Sequence, residues 1–264
     1  MLYRSLYRFL TCSLILASAF HTVSAQAIPF NPSININATV SLDTTNSTVS
    51  SGGASQSGGL AVTTAGVPTA STFNELTVSG SNPIAQALTN IGDSLAINFL
   101  VGGTFANGPA ENSALFGDYT LVLNNSSLTD TFEIVLGVSV AQLLSATGAD
   151  SFVIGELRIE DALNNLIVFA NHTRDTLNGD SDTPVAPASF TVLLNPGDTI
   201  QFDGLLSLRG GAFQTGAYSG DMGAQISVAR VRNVTITPEP VPEPGTYLLL
   251  ALGLGALVAR RQRV

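Results

Sequence analysis

The chain has 264 residues, 45% of them hydrophobic and only 11% charged, with a formal charge of −9. Such an acidic chain lacks the basic footprint that nucleic-acid binding requires, and charge does not draw it to anionic lipid. The only cysteine is Cys12, which excludes a disulfide framework and a cysteine-based zinc site.

The first element is an export signal. Arg4 and Arg8 form a basic start, residues 10–20 an apolar run, and small residues follow. Val23-Ser24-Ala25 or Ala25-Gln26-Ala27 supplies the cleavage point, so residues 1–25 read as a secretory signal peptide. Leu10 and Thr11 precede Cys12 where a lipidation site needs small residues, so lipidation is not expected. Once the signal is removed, the domain has no cysteine and must be held by its core alone.

Residues 26–71 are rich in Ser, Thr, Asn, Gly and Ala. They read as an arm or an edge strand, with weak alternation near residues 34–42 and a flexible loop over residues 50–59. From about Phe73 the period is two. Leu95, Ile97, Phe99 and Val101 alternate with smaller residues, as do Tyr119, Leu121 and Leu123. Phe132, Ile134, Leu136, Val138 and Val140 fall on one face of the longest run. Residues 141–146 suggest one helical turn. Residues 152–159 end with Leu157 and Ile159 on one face and Glu156 and Arg158 on the other. Further strands are expected at residues 166–170, 190–194, 199–208 and 226–236.

Asn195-Pro196-Gly197-Asp198 reads as a type II turn, with Pro196 presetting φ and Gly197 taking a positive φ. It predicts a hairpin between residues 190–194 and 199–208. Near the end of the last strand, Val231 falls out of phase between Arg230 and Arg232, which a β-bulge would explain. Short strands joined by polar turns predict an all-β fold, an antiparallel β-sandwich over residues 72–236. A jelly-roll order is the first choice of topology.

Residues 237–264 differ in kind. Closely spaced prolines run from Pro238 to Pro244 and keep that stretch extended and exposed. An apolar segment follows from Tyr247 to Ala259, then Arg260, Arg261 and Arg263. As a helix the apolar segment is roughly 20 Å long, shorter than the ~30 Å hydrocarbon core. Local thinning and snorkelling arginines would let it span as a transmembrane-like helix. The positive-inside rule keeps the arginines cytoplasmic and the body on the far side, which agrees with the signal peptide.

Pro242-Glu243-Pro244, the apolar segment and the terminal arginines resemble, in that order, the PEP-CTERM sorting signal of Gram-negative bacteria. The resemblance covers only this tail. It implies recognition by a membrane-embedded exosortase, processing near Pro242-Glu243-Pro244, and release to the cell surface or extracellular matrix. Extracellular polysaccharide is the partner it suggests.

Chemistry is sparse between the two signals. There is no lysine, and the only histidine, His172, reads as an exposed loop residue. No Gly-x-Ser-x-Gly elbow accompanies it. Asp175, Asn178, Asp180 and Asp182 supply oxygen ligands around Gly179 and form a calcium candidate, although EF-hand spacing and a terminal bidentate Glu are missing. Glu156, Glu160 and Asp161 form the only carboxylate grouping that a glycosidase reading would use. The expectation is an exported surface or matrix protein that is not an enzyme and needs no cofactor. A carbohydrate- or calcium-dependent binding module is the alternative, and a secreted glycan hydrolase a more remote one.

Overall fold

The computed structural model describes residues 28–235. The expected signal peptide, sorting motif and C-terminal helix lie outside them. In chain order the strands are β1 (Ile28–Pro29), β2 (Ile34–Leu42), β3 (Ala54–Thr64), β4 (Val67–Asn74), β5 (Thr77–Ser79), β6 (Ile84–Leu88), β7 (Asn90–Ile91) and β8 (Ser94–Thr104). There follow β9 (Ala110–Asn125), β10 (Phe132–Thr147), β11 (Ser151–Asp161), β12 (Leu166–Asp175), β13 (Ser181–Ala186), β14 (Ser189–Leu194), β15 (Thr199–Ala212) and β16 (Ala217–Asn233).

All pairings are antiparallel. The first sheet runs β14-β10-β16-β8-β3-β4-β5, the second β13-β12-β11-β15-β9-β2-β6, and β1 pairs with β7. The predicted alternations decide what each sheet buries. Leu95, Ile97 and Phe99 of the first sheet, and Tyr119, Leu121, Leu123 and Leu157 of the second, belong to one hydrophobic cluster. The sheets therefore share a single core, the arrangement of a β-sandwich. Glycines mark where they approach most closely. A methyl on Gly155 would lie 2.2 Å from Met222 Sδ, and one on Gly117 would lie 2.8 Å from Ile97 and Phe99. Tyr119 adds a polar tie across the core: its hydroxyl donates to Ala224 O at 2.8 Å.

Several local expectations are corrected. The stretch expected as an arm or an edge strand, residues 26–71, holds two interior strands within its described part. β2 lies between β9 and β6, and β3 between β8 and β4. The supposed flexible loop at residues 50–59 runs into β3, where Gln56 is buried. Gln56 accepts from Asn112 Nδ2 at 3.1 Å and donates to Thr48 O at 2.7 Å, and Asn112 in turn accepts from the Tyr218 hydroxyl. Small polar residues hide this strand from a hydrophobicity pattern, because its polar groups are satisfied internally. Residues 141–146 continue β10 with no helical turn, paired with residues 218–223 on β16.

The turn at residues 195–198 forms as expected, with Gly197 at φ +80° and Asp198 N donating to Asn195 O at 3.1 Å. It does not make a hairpin. β14 pairs with β10 in one sheet and β15 with β9 and β11 in the other, so the turn arches between sheets. Asn125 holds the arch. Its buried Nδ2 reaches Leu194 O (3.1 Å), Asn195 O (3.0 Å) and Asp130 O (2.7 Å). Its backbone exchanges bonds with Gly197 N and Asp198 O.

The predicted bulge in β16 is present, at Ala229. Val135 faces Arg230 and Leu136 faces Val228, leaving Ala229 as the extra residue. The bulge resets the phase, so Val231 packs against the core while Arg230 and Arg232 both reach Glu133.

Candidate functional site

Short polar side chains gather on the outward face of the second sheet where β2, the end of β9 and the start of β15 meet. The register aligns Asn35, Asn124 and Thr199 in one row, and Thr39, Thr120 and Asp203 in another. These side chains bond to one another: Asn124 Nδ2 to Thr199 Oγ1 at 2.7 Å, Thr120 Oγ1 to Asp203 Oδ1 at 3.1 Å, and Gln201 Nε2 to Asp203 at 2.8 Å. Asp118 occupies the next row. Burial, then the nearby charges of Asp43 and Asp203, raise its carboxyl pKa. The face therefore combines amide donors, hydroxyls and carboxylates with half-buried apolar side chains, Val122 beside Gln201 and Leu205 and Phe169 in the Asp118 row.

An aromatic pair on β11 and the β15–β16 connection lies toward the other end of the sheet, about 26 Å along β15 from the Asp203 row. Phe152 and Phe213 stack with centroids 6.1 Å apart and planes inclined by 18°. They rest on Gly211, where a methyl would lie 2.7 Å from the Phe213 ring. Nothing in the sequence singled these residues out, because Phe213 lies in a connection and Phe152 carries the strand's outward phase. The signal that was available is Gly210-Gly211 two residues before Phe213, a bare backbone on which a ring can lie.

The calcium candidates lie at the β12–β13 turn. Asp175 accepts from Leu177 N at 2.8 Å, Asn178 N at 3.0 Å and Asn178 Nδ2 at 2.8 Å. Asp180 Oδ1 accepts from Asp175 N at 3.3 Å, and Arg174 Nε lies 3.7 Å from its other oxygen. Asp182 is on β13 and accepts from Arg174 Nη1 at 2.8 Å. Its pKa falls to about 2, chiefly through that bond and then through His172. Thus the turn's own amides and one guanidinium engage these carboxylates. Among the described residues no group of three His, Cys, Asp or Glu is placed to hold a metal ion.

His172 is not an exposed loop residue. It lies on β12 with 6% of its surface exposed, and its Nδ1 is 3.0 Å from Asp182 Oδ1. The polar run from Asn171 to Asp175 concealed a strand whose period continues from Val168 and Ala170. Glu156 and Glu160 share the outward face of β11 with Arg158, which binds Glu160. Four residues of strand separate their Cα atoms by roughly 13 Å.

The C-terminal tail matches a family model over residues 240–263. It is a PEP-CTERM protein-sorting motif. That motif indicates an exported protein, sorted from the membrane and processed by an exosortase. Pro242, Glu243 and Pro244, with Arg260, Arg261 and Arg263, fall within the match. No helix among the described residues is long and apolar enough to cross a membrane. No curated protein matches the chain. Among solved structures, it is similar at 9% identity to the infectious bursal disease virus Gx strain structure, covering 82% of this chain and 71% of that one, with a TM-score of 0.14. The VP2 subviral particle of the same virus is likewise similar, at 9% identity, 90% and 75% coverage and a TM-score of 0.17. Likenesses this low carry no argument.

Proposed function

We propose that the processed β-sandwich is a non-enzymatic protein of the cell surface or extracellular matrix, associating with extracellular polysaccharide through the outward face of its second sheet. The PEP-CTERM motif carries the first half of this reading, since it directs the chain outward. The second half rests on chemistry. Sugar hydroxyls take bonds from amides and give them to carboxylates, and the rows of Asn124, Thr120, Gln201 and Asp203 offer both. Apolar sugar faces pack on aromatic rings, and the Phe152–Phe213 pair offers a place to do so.

Two measurements test the reading. The mass and cell fraction of the mature protein are compared between the wild-type tail and one with Pro242-Glu243-Pro244 replaced by alanines. The wild type should lose the apolar segment and appear at the surface, while the variant keeps it. An intact tail in both would leave a membrane-anchored periplasmic protein and defeat the surface assignment. Polysaccharide from the producing cell should then retain the protein, and F213A should weaken retention. Dependence of retention on added calcium would favour the calcium-dependent binding module. Release of soluble sugars that E156Q or E160Q abolishes would favour the hydrolase.

A further inference from the structure

The tail leaves the sandwich at an end that is chemically unlike the other. Asn233, the last residue of β16, pairs with Phe132, the first of β10, which faces Leu194, the last of β14. In the second sheet the same end holds Asn125, Thr199, Asp161 and Leu166, because the arches at residues 126–131 and 195–198 join the two sheets there. β1 and the turn at residues 65–66 also lie at this end.

Nine large hydrophobic side chains are exposed among the described residues. Six are at this end: Ile28, Val67, Leu128, Leu163, Leu166 and Leu193. Leu128 and Leu163 project furthest, with 92% and 81% of their surface exposed from the tips of two separate loops. The opposite end has the longest connection, residues 43–53, yet exposes only Val49 and Leu177, with Leu143 along β10. Loop ends alone therefore do not produce the asymmetry. Beside the exit, Arg230 and Arg232 share one carboxylate, Glu133, while Asp130, Asp161 and Asp198 lie in the loops and strand ends around them.

The length of the tail says what this end meets. Only residues 234–246 separate Asn233 from the apolar segment that begins at Tyr247. Fully extended they reach about 45 Å, and any relaxation brings the domain closer. We propose that, before processing, this end of the sandwich rests on the outer surface of the membrane, inserting the loop tips at Leu128 and Leu163 into the interface. The arginine pair then meets lipid phosphates. Apolar tips and snorkelling cations are what an interfacial contact uses. Tethering makes the contact intramolecular, so a patch too weak to hold a free domain to lipid suffices. After processing the same patch releases.

This inference rests on membrane insertion of the sorting tail. The test uses the chain exported from a host without an exosortase, so that the tail is retained, reconstituted in phosphatidylethanolamine–phosphatidylglycerol vesicles. Single cysteines at Leu128, Leu163 and, as the control, the exposed Leu177 at the opposite end carry nitroxide labels. Collision with a water-soluble nickel chelate should fall several-fold at 128 and 163 relative to 177, and collision with oxygen should rise. Equal nickel access at all three sites, in vesicles that float with the protein, overturns this proposal alone. Protein that fails to float overturns the reading of the tail, and this inference with it. Protection that disappears on diluting the protein in lipid would assign the patch to a second copy and would also overturn it.

Discussion

Asn125 shows how one side chain sets a connection between sheets. Its amide serves carbonyls from the loop after β9 and from the end of β14, and its Oδ1 accepts Ser127 N at 3.0 Å. Alanine leaves these groups buried without partners, each worth about 1–3 kcal/mol. N125A should lose about 2–4 kcal/mol in urea unfolding, whereas N124A, one residue away and on the solvated face, should lose less than about 0.5 kcal/mol. Two carboxylates give opposite pH responses. Asp118 has a raised folded pKa, chiefly from burial, so its penalty exists while it is ionised and vanishes as pH falls below the unfolded value near 3.9. D118N should melt above the wild type at pH 7, with the gap closing in acid. Asp182 is depressed to about 2, so its contribution is present above the unfolded value and lost as pH falls toward 2. D182N should melt below the wild type at pH 7 and converge with it near pH 2. Parallel pH curves for either variant would refute the assignment.

Strand phase and strand partnership are encoded differently. The bulge in β16 makes the point testable. With Ala229 in place, Arg230 and Val231 take outward and inward positions only because one residue goes unpaired. Deleting Ala229 restores plain alternation: Val228 inward, Arg230 outward, Val231 inward. The deletion should cost at most about 1 kcal/mol, whereas deleting Ser227 takes up the bulge by turning Val228 outward and Ala229 inward and should cost about 2 kcal/mol or more. Urea midpoints for the two deletions decide between them. The same distinction governs what the sequence disclosed. Alternation from Phe132 to Val140 and from Leu95 to Val101 states which face is buried, so the all-β sandwich was legible. Pairing runs through backbone groups that every residue possesses, so a type II turn at residues 195–198 did not reveal that its strands part to different sheets. Strand β3 was hidden because Gln56, Ser57 and Gly58 carry no apolar signal. The polar face of the second sheet could be read strand by strand, but its rows and the Phe152–Phe213 pair exist only once β11, β15, β9 and β2 are set side by side.

At the scale of the whole domain, charge is the dominant imbalance. Residues 28–235 hold seventeen carboxylates against five arginines and no lysine. Self-repulsion on this scale opposes compaction, and salt screens it: the Debye length falls from about 10 Å at 0.1 M to about 3 Å at 1 M. The melting temperature should therefore rise with sodium chloride, by roughly 2–4 °C for each kcal/mol of repulsion removed. The same titration separates screening from binding. At matched ionic strength calcium and magnesium screen alike, but only a cage of oxygens that is free to rearrange prefers calcium. The carboxylates of Asp175 and Asp182 already accept bonds from Asn178 and Arg174, so occupancy would require those bonds to open. Calcium should then raise the melting temperature no more than magnesium does. An extra increment with calcium that D175N abolishes would show that the β12–β13 turn does open, and would move the domain into the class of calcium-dependent binders.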